Sequence, residues 1–268
     1  MIATTPRILV FDSGVGGLSI VQEIRALLPM LGIDYVADNA FFPYGTRHEG
    51  ELLQRVVAVI DAAITRLRPA LVVIGCNSAS TIALDLLRER FDTPFVGVVP
   101  AIKPAAKAST TKTIGLLATE GTIMRDYTRT LARQFAHDCT LVSYGSSDLV
   151  LQAEQLLRGQ QPDRERIRHE LHQLWSLPNA SDIDAVVLGC THFPLLKPLF
   201  VELAPANVQW VDSGAAIARR VSSLLPPSHP SAPAPERADH AFFTGSYDAA
   251  IAAGLRNFGF RHCAILAV

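Results

Sequence analysis

Short runs of aliphatic and β-branched residues alternate along the chain with longer stretches whose apolar positions recur every three or four residues. RILVF at 7–11 leads through a Gly-rich turn into LSIVQEIRALL, and ELLQRVVAVIDAAITRL is followed by ALVVI at 70–74. The first kind of run suits a strand buried on both faces, and the second is the stripe of an amphipathic helix. FVGVV at 95–99, TIGLLAT at 113–119, CTLVSY at 139–144, DAVVLG at 184–189 and VQWVD at 208–212 extend the strand series. TIMRDYTRTLARQF and RERIRHELHQLWSL extend the helical one. This alternation predicts parallel strands joined by crossover helices, an α/β fold.

One break interrupts it. The prolines of PPSHPSAPAPERAD, 226–239, forbid a regular helix or central strand and predict an exposed loop, after which AFFTG and YDAAIAAGLRNFG resume the pattern. The chain also repeats itself: ALVVIGCNSAST at 70–81 is echoed by DAVVLGCTHFPLL at 184–196, which sets Cys76 and Cys190 at matching points. A weaker echo links ILVFDSG at 8–14 to VQWVDSG at 208–214. These echoes predict two pseudo-symmetric lobes, each with a largely parallel sheet flanked by helices and a site in the crevice between them. The expected division is 1–98 completed by 209–268 for the first lobe and 99–208 for the second.

Composition narrows the function. With 268 residues, 24 basic and 25 acidic side chains and 49% apolar content, the chain has material for a large core and no general positive field to gather nucleic acid. Its four cysteines, Cys76, Cys139, Cys190 and Cys263, include no CxxC pair and are too scattered for a disulfide scaffold. The opening MIATTPRILVFDSG reads as neither signal peptide nor membrane span. A cytoplasmic protein with no membrane partner is expected.

The chemistry gathers where strands end. Side chains just past the carboxyl ends of parallel strands face a crevice, beside helix N-termini that favour thiolate over thiol. Cys76 and Cys190 both fall there, although each could instead be a small buried hydrophobe. Asp12 ends the first strand, as a site carboxylate or as a cap on the first helix. The SGVGGLS after it is no dinucleotide or P-loop fingerprint. His192, two residues past Cys190, is placed to exchange a proton with a reacting group, or else sits on the surface at a helix end. No Cys/His cluster or HExxH accompanies it, so no metal is expected. Two thiols in one crevice allow a reaction that one does not: a thiolate takes a proton from one face of a carbon and the opposite thiol returns one to the other. Ser13, Asn77, Ser78 and Thr191 offer groups to hold a carboxylate there. Tyr44 and Gly45 of FFPYGTR add a hydroxyl and a backbone donor, unless that stretch is merely a packed turn.

FDSGVGGLS at 11–19, PYG at 43–45, GCNSAS at 75–80, GSSDLVLQAE at 145–154, GCTHFPLL at 189–196 and VDSG at 211–214 together resemble the glutamate racemases of the cofactor-independent aspartate/glutamate racemase superfamily. The resemblance runs from near the start of the chain to the proline-rich segment. It implies interconversion of L- and D-glutamate without cofactor or metal, to supply D-glutamate for peptidoglycan. It implies that Cys76 serves the D-enantiomer with Asp12 nearby, and Cys190 the L-enantiomer with His192 and Glu154 nearby. Substrate contacts are implied at Asp12, Ser13, Tyr44, Gly45, Asn77, Ser78, Thr191 and His192, with Thr119 and Thr122 added by the ATEGT stretch. The family also implies a homodimer. Its motif usually reads CNTAS, so Ser78 lacks a methyl here, and the proline-rich loop is longer than expected. The N-terminal extension linked in some members to activation by a cell-wall precursor is not visible before Asp12, so that control is expected to be absent. Racemisation of aspartate, and hydrolysis with Cys190 as nucleophile and His192 as base, remain the competing readings.

Overall fold

The computed structural model describes residues 6–225 and 239–268. The expected proline-rich loop lies outside the described residues except for Asp239, which opens a strand. Among the described residues, ten strands form two sheets: β1 (Arg7–Asp12), β2 (Gly32–Ala37), β3 (Leu71–Ile74), β4 (Phe95–Gly97), β5 (Thr113–Ala118), β6 (Thr140–Gly145), β7 (Ala185–Leu188), β8 (Gln209–Val211), β9 (Asp239–Phe243) and β10 (Phe260–Ile265). Their orders are β10-β9-β2-β1-β3-β4 and β6-β5-β7-β8, with every pairing parallel. The fold is two-lobed α/β.

Both faces of the first sheet are buried, which is why its strands are apolar without alternation. Ile8, Val10 and Ile33 pack with the helices Leu18–Leu27 and Gly214–Leu224, while Leu9, Phe11 and Val72 pack with Glu49–Leu67 and Asn77–Arg90. Glu49–Leu67 turns Leu52, Val56, Val59, Ile60 and Ala63 to the sheet at helical spacing. In the second lobe Val186 and Leu117 meet Asp148–Leu157 and Arg164–Trp175, and Leu116 and Val187 meet Ile102–Ala108.

The order β2-β1-β3-β4 is repeated by β6-β5-β7-β8. Phe11 pairs with Ile74, and Leu117 with Leu188, so the residues two places beyond Ile74 and Leu188 are equivalent: they are Cys76 and Cys190. The amides just before them repeat too, Gly75 donating to the carbonyl of Phe11 at 2.7 Å and Gly189 to that of Leu117 at 2.8 Å. In each sheet strand order reverses beside the central strand, where a crevice opens at the carboxyl ends.

Three expectations are corrected. β8 hydrogen-bonds to β7, so Gln209–Val211 extends the second sheet and does not belong with 209–268 in the first; the helix Gly214–Leu224 does join the first core. The weaker echo is not an equivalence, since β8 occupies the place of β4 while the counterpart of β1 is β5. The helix expected over TIMRDYTRTLARQF is broken at Arg125, whose backbone is extended (φ −72°, ψ 141°), giving Glu120–Met124 and Asp126–Phe135. The hydroxyl of Thr128 donates to the Thr122 carbonyl at 2.6 Å, so that carbonyl has a partner although the helix ends.

Candidate active site

One narrow cleft lies between the lobes at these strand ends, and Cys76 and Cys190 both line it. Cys76 is the N-cap of Asn77–Arg90 and 6% exposed; Cys190 is 7% exposed. Cys190 is followed by a 3-10 turn, Phe193–Leu196, so only Cys76 has the α-helix N-terminus expected for both. The expected lowering of the thiol does not hold for Cys76. Burial pushes it well up, and the nearby negative charge of Asp12 adds to this, against which the Ala79 N–H and the Ser13 hydroxyl are too weak. Cys76 therefore carries its proton in the substrate-free protein.

His192 is 3% exposed, not on the surface. Its Nδ1 lies 3.7 Å from Sγ of Cys190 and its Nε2 2.9 Å from Oε1 of Glu154. Burial alone would lower this imidazole, but its hydrogen bonds to Cys190 and Glu154 and the charges of Cys190 and Asp12 raise it well above 6.5. The two thiols thus stand in unlike environments, Cys76 near the buried carboxylate of Asp12 and Cys190 beside the imidazole of His192.

Ser13, Asn77, Ser78, Thr191 and His192 line the cleft beside the two thiols. Tyr44, Gly45, Thr119 and Thr122 line it as well. The amide oxygen of Asn77, one of the cleft-lining residues, is buried with no hydrogen-bond partner. Thr119 caps Glu120–Met124 by accepting from the Thr122 N–H at 3.3 Å, and Oγ1 of Thr122 lies 3.4 Å from Oγ of Ser78 across the lobes.

Asp12 and Glu154 do not line the cleft and stand behind it. Asp12 is fully buried; Oδ1 accepts the Gly14 N–H at 2.8 Å and Oδ2 the Thr191 hydroxyl at 3.0 Å. Burial raises this carboxyl, with His192, Gly14 and Thr191 opposing. Phe42, Ser147, Val150 and Leu151 also line the cleft and were not singled out from the sequence. The last three lie in the quoted GSSDLVLQAE, where the family resemblance implied Glu154 but gave no sign of which residues face the first lobe. Tyr44 also departs from expectation, because its hydroxyl is bonded to Asp38 at 2.6 Å.

A parallel two-lobed α/β fold with one cysteine on an equivalent strand end of each lobe, both in one cleft, defines a class of two-thiol enzyme. Residues 16–221 match the model of the Asp/Glu/Hydantoin racemase family. The chain belongs to that family. It is 48% identical over 227 residues to the glutamate racemase of Escherichia coli K12, covering 85% of this chain and 79% of that protein. It is 49% identical over 222 residues to that of Serratia proteamaculans, covering 83% and 77%. The fold superposes on a crystal structure of E. coli glutamate racemase in complex with L-glutamate and the activator UDP-MurNAc-Ala with a TM-score of 0.91, at 44% identity over 99% of both chains. The Thermus thermophilus enzyme with β-chloro-D-alanine gives 0.74 at 29% identity, over 98% and 97%. Among the described residues no helix is long and apolar enough to cross a membrane.

Proposed function

We propose that the protein is a glutamate racemase that interconverts L- and D-glutamate with two thiols. The observation that carries this is the placing of Cys76 and Cys190 at equivalent strand ends in one cleft. From the L side, the thiolate of Cys190 takes the α-proton, and the electron pair left on Cα spreads into the α-carboxylate. The Cys76 thiol then gives its proton to the opposite face, leaving D-glutamate, a protonated Cys190 and a Cys76 thiolate. The reverse reaction runs the same steps backwards. His192, with Glu154 behind it, holds charge beside Cys190 when that sulfur is a thiolate. Asp12 orients Thr191 toward substrate and holds negative charge beside Cys76.

Hydroxyls of Ser13, Ser78, Thr119 and Thr122, with backbone donors at Gly45, are assigned to the two carboxylates, while the Thr191 hydroxyl, whose proton goes to Asp12, and the acceptor of Asn77 suit the ammonium. The step needs no cofactor or metal in this reading, and its product is D-glutamate for peptidoglycan. We place the protein in the cytoplasm, where free thiols stay reduced, as a homodimer by analogy with its family.

Incubation with L-glutamate in deuterated water tests the reading. D-glutamate carrying α-deuterium is expected, with little turnover of aspartate. Cleavage of esters or amides without α-exchange would overturn it, and a faster reaction with aspartate would change the substrate. Light scattering in solution tests the dimer.

A further inference from the structure

The glycines of DSGVGG are unexplained by the reaction just described. Neither Gly14 nor Gly16 has positive φ, so the backbone there suits any residue and conformational freedom is not the reason for them. Space is the reason. A Cβ on Gly14 would overlap Oε1 of Glu154 and stand 3.0 Å from the Phe42 ring. A Cβ on Gly16 would overlap Nδ1 of His192 and stand 2.7 Å from Oγ1 of Thr191. Between them the Val15 N–H donates to Oε1 of Glu154 at 2.9 Å, the same oxygen that faces Nε2 of His192. One turn on, Oγ of Ser19 donates to the Thr191 carbonyl at 2.8 Å.

We infer that the bare backbone of Gly14–Gly16, supplied by the first lobe, is a positioning element for the Glu154–His192–Cys190 relay of the second. Val15 fixes the carboxylate, the carboxylate orients the ring, and the missing side chain of Gly16 leaves Nδ1 room to face the sulfur. The relay is therefore complete only when the two lobes meet along this seam. The inference rests on the racemase reading for the task of the relay, but the placement of His192 can be measured without turnover.

The test uses the full chain as Gly14→Ala and Gly16→Ala, with Gly50→Ala as control, because a Cβ at Gly50 meets nothing within 4 Å. NMR titration of the His192 ring is followed with kcat and KM for both enantiomers, and melting curves confirm folding. In both loop variants His192 is expected to titrate closer to 6.5 than in the parent protein. kcat should fall by about 10²-fold in both directions while KM changes by less than about threefold. The control should match the parent. A folded Gly16→Ala protein with parental His192 titration and kcat would overturn the inference. If the alanine variants do not fold, Glu154→Gln takes their place, since its amide oxygen still accepts from Val15 but its charge is gone. It should lower the His192 titration too, and an unchanged titration would overturn the inference. Should the parent fail to racemise glutamate while the titrations shift as stated, the substrate reading fails and the positioning stands.

Discussion

The hydroxyl of Tyr44 donates to Oδ2 of Asp38 at 2.6 Å. Asp38 is fully buried, and it also accepts from Nε and Nη2 of Arg55 at 2.9 and 2.6 Å and from the Thr244 hydroxyl at 2.5 Å. Burial and the Asp38 charge keep the Tyr44 phenol well above its ordinary range, so it remains a donor. Its single proton is committed to Asp38, although Tyr44 lines the cleft. Tyr44→Phe is therefore expected to cost about 1 kcal/mol of stability and to leave KM within about threefold. Asp38→Ala, which strands Arg55 as well, should cost about 3 kcal/mol. Denaturant unfolding with steady-state kinetics checks both. A tenfold rise in KM for Tyr44→Phe without loss of stability would make its hydroxyl a substrate contact.

The assignment of Cys190 to L-glutamate and Cys76 to D-glutamate makes the single variants unlike each other. In Cys76→Ser, Cys190 still takes the α-proton of L-glutamate and can return a deuteron to the same face. L-glutamate should then gain α-deuterium while racemisation falls about 10³-fold. Cys190→Ser should do the same with D-glutamate. Proton NMR and chiral chromatography read both quantities. Full racemisation by either variant would sink the two-thiol scheme.

Much of this was legible because parallel strands write themselves as uninterrupted apolar runs, and a cysteine directly after such a run can only be near the sheet's carboxyl edge. What was not legible depended on contacts between segments far apart in the chain. Asp12 reads as a site carboxylate or a local cap, and its bond to the Gly14 N–H is local, yet nothing nearby in the chain tells that its other oxygen accepts from Thr191. Asp38 has no motif of its own, and its four donors come from three separate segments. The DSG repeated at 212–214 looked like a second copy of the first strand end, but only pairing shows that β8 stands where β4 does. The helix N-terminus at Cys76 could be inferred from pattern, whereas the 3-10 turn after Cys190 could not. Nor could the desolvation that overrides that N-terminus.

His192 ties stability to pH with a definite sign. Its imidazole is raised above 6.5 in the folded protein, where burial is outweighed by Cys190, Glu154 and Asp12. Below about pH 6.5 the ring is protonated folded and unfolded alike, and its contribution is complete. As pH rises past that value only the folded state keeps the proton, and the contribution shrinks until the folded ring titrates. The difference in melting temperature between the parent and His192→Gln should therefore be larger at pH 6 than at pH 9. A difference independent of pH would mean that the buried ring is neutral.

Closure at the lip of the cleft depends on two backbones meeting without side chains. A Cβ on Gly121 would stand 2.5 Å from the carbonyl oxygen of Gly45 in the other lobe, and one on Gly45 would stand 2.9 Å from Cβ of Thr119. Backbone cannot rotate aside as a long side chain would, so Gly121→Ala must push the 3-10 turn Tyr44–Thr46 away from the helix Glu120–Met124. Within that helix alanine is favoured over glycine by about 1 kcal/mol, so the local and interlobe effects oppose each other. The Gly121→Ala protein is expected to melt within a few degrees of the parent, while the 3.4 Å approach of Ser78 to Thr122 opens and KM for both enantiomers rises about tenfold. Because Cys76 and Cys190 keep their own supports, kcat should change less than KM. Kinetics together with a crystal structure of the variant decide the matter: an opened lip with parental KM would show that substrate binding does not need this closure.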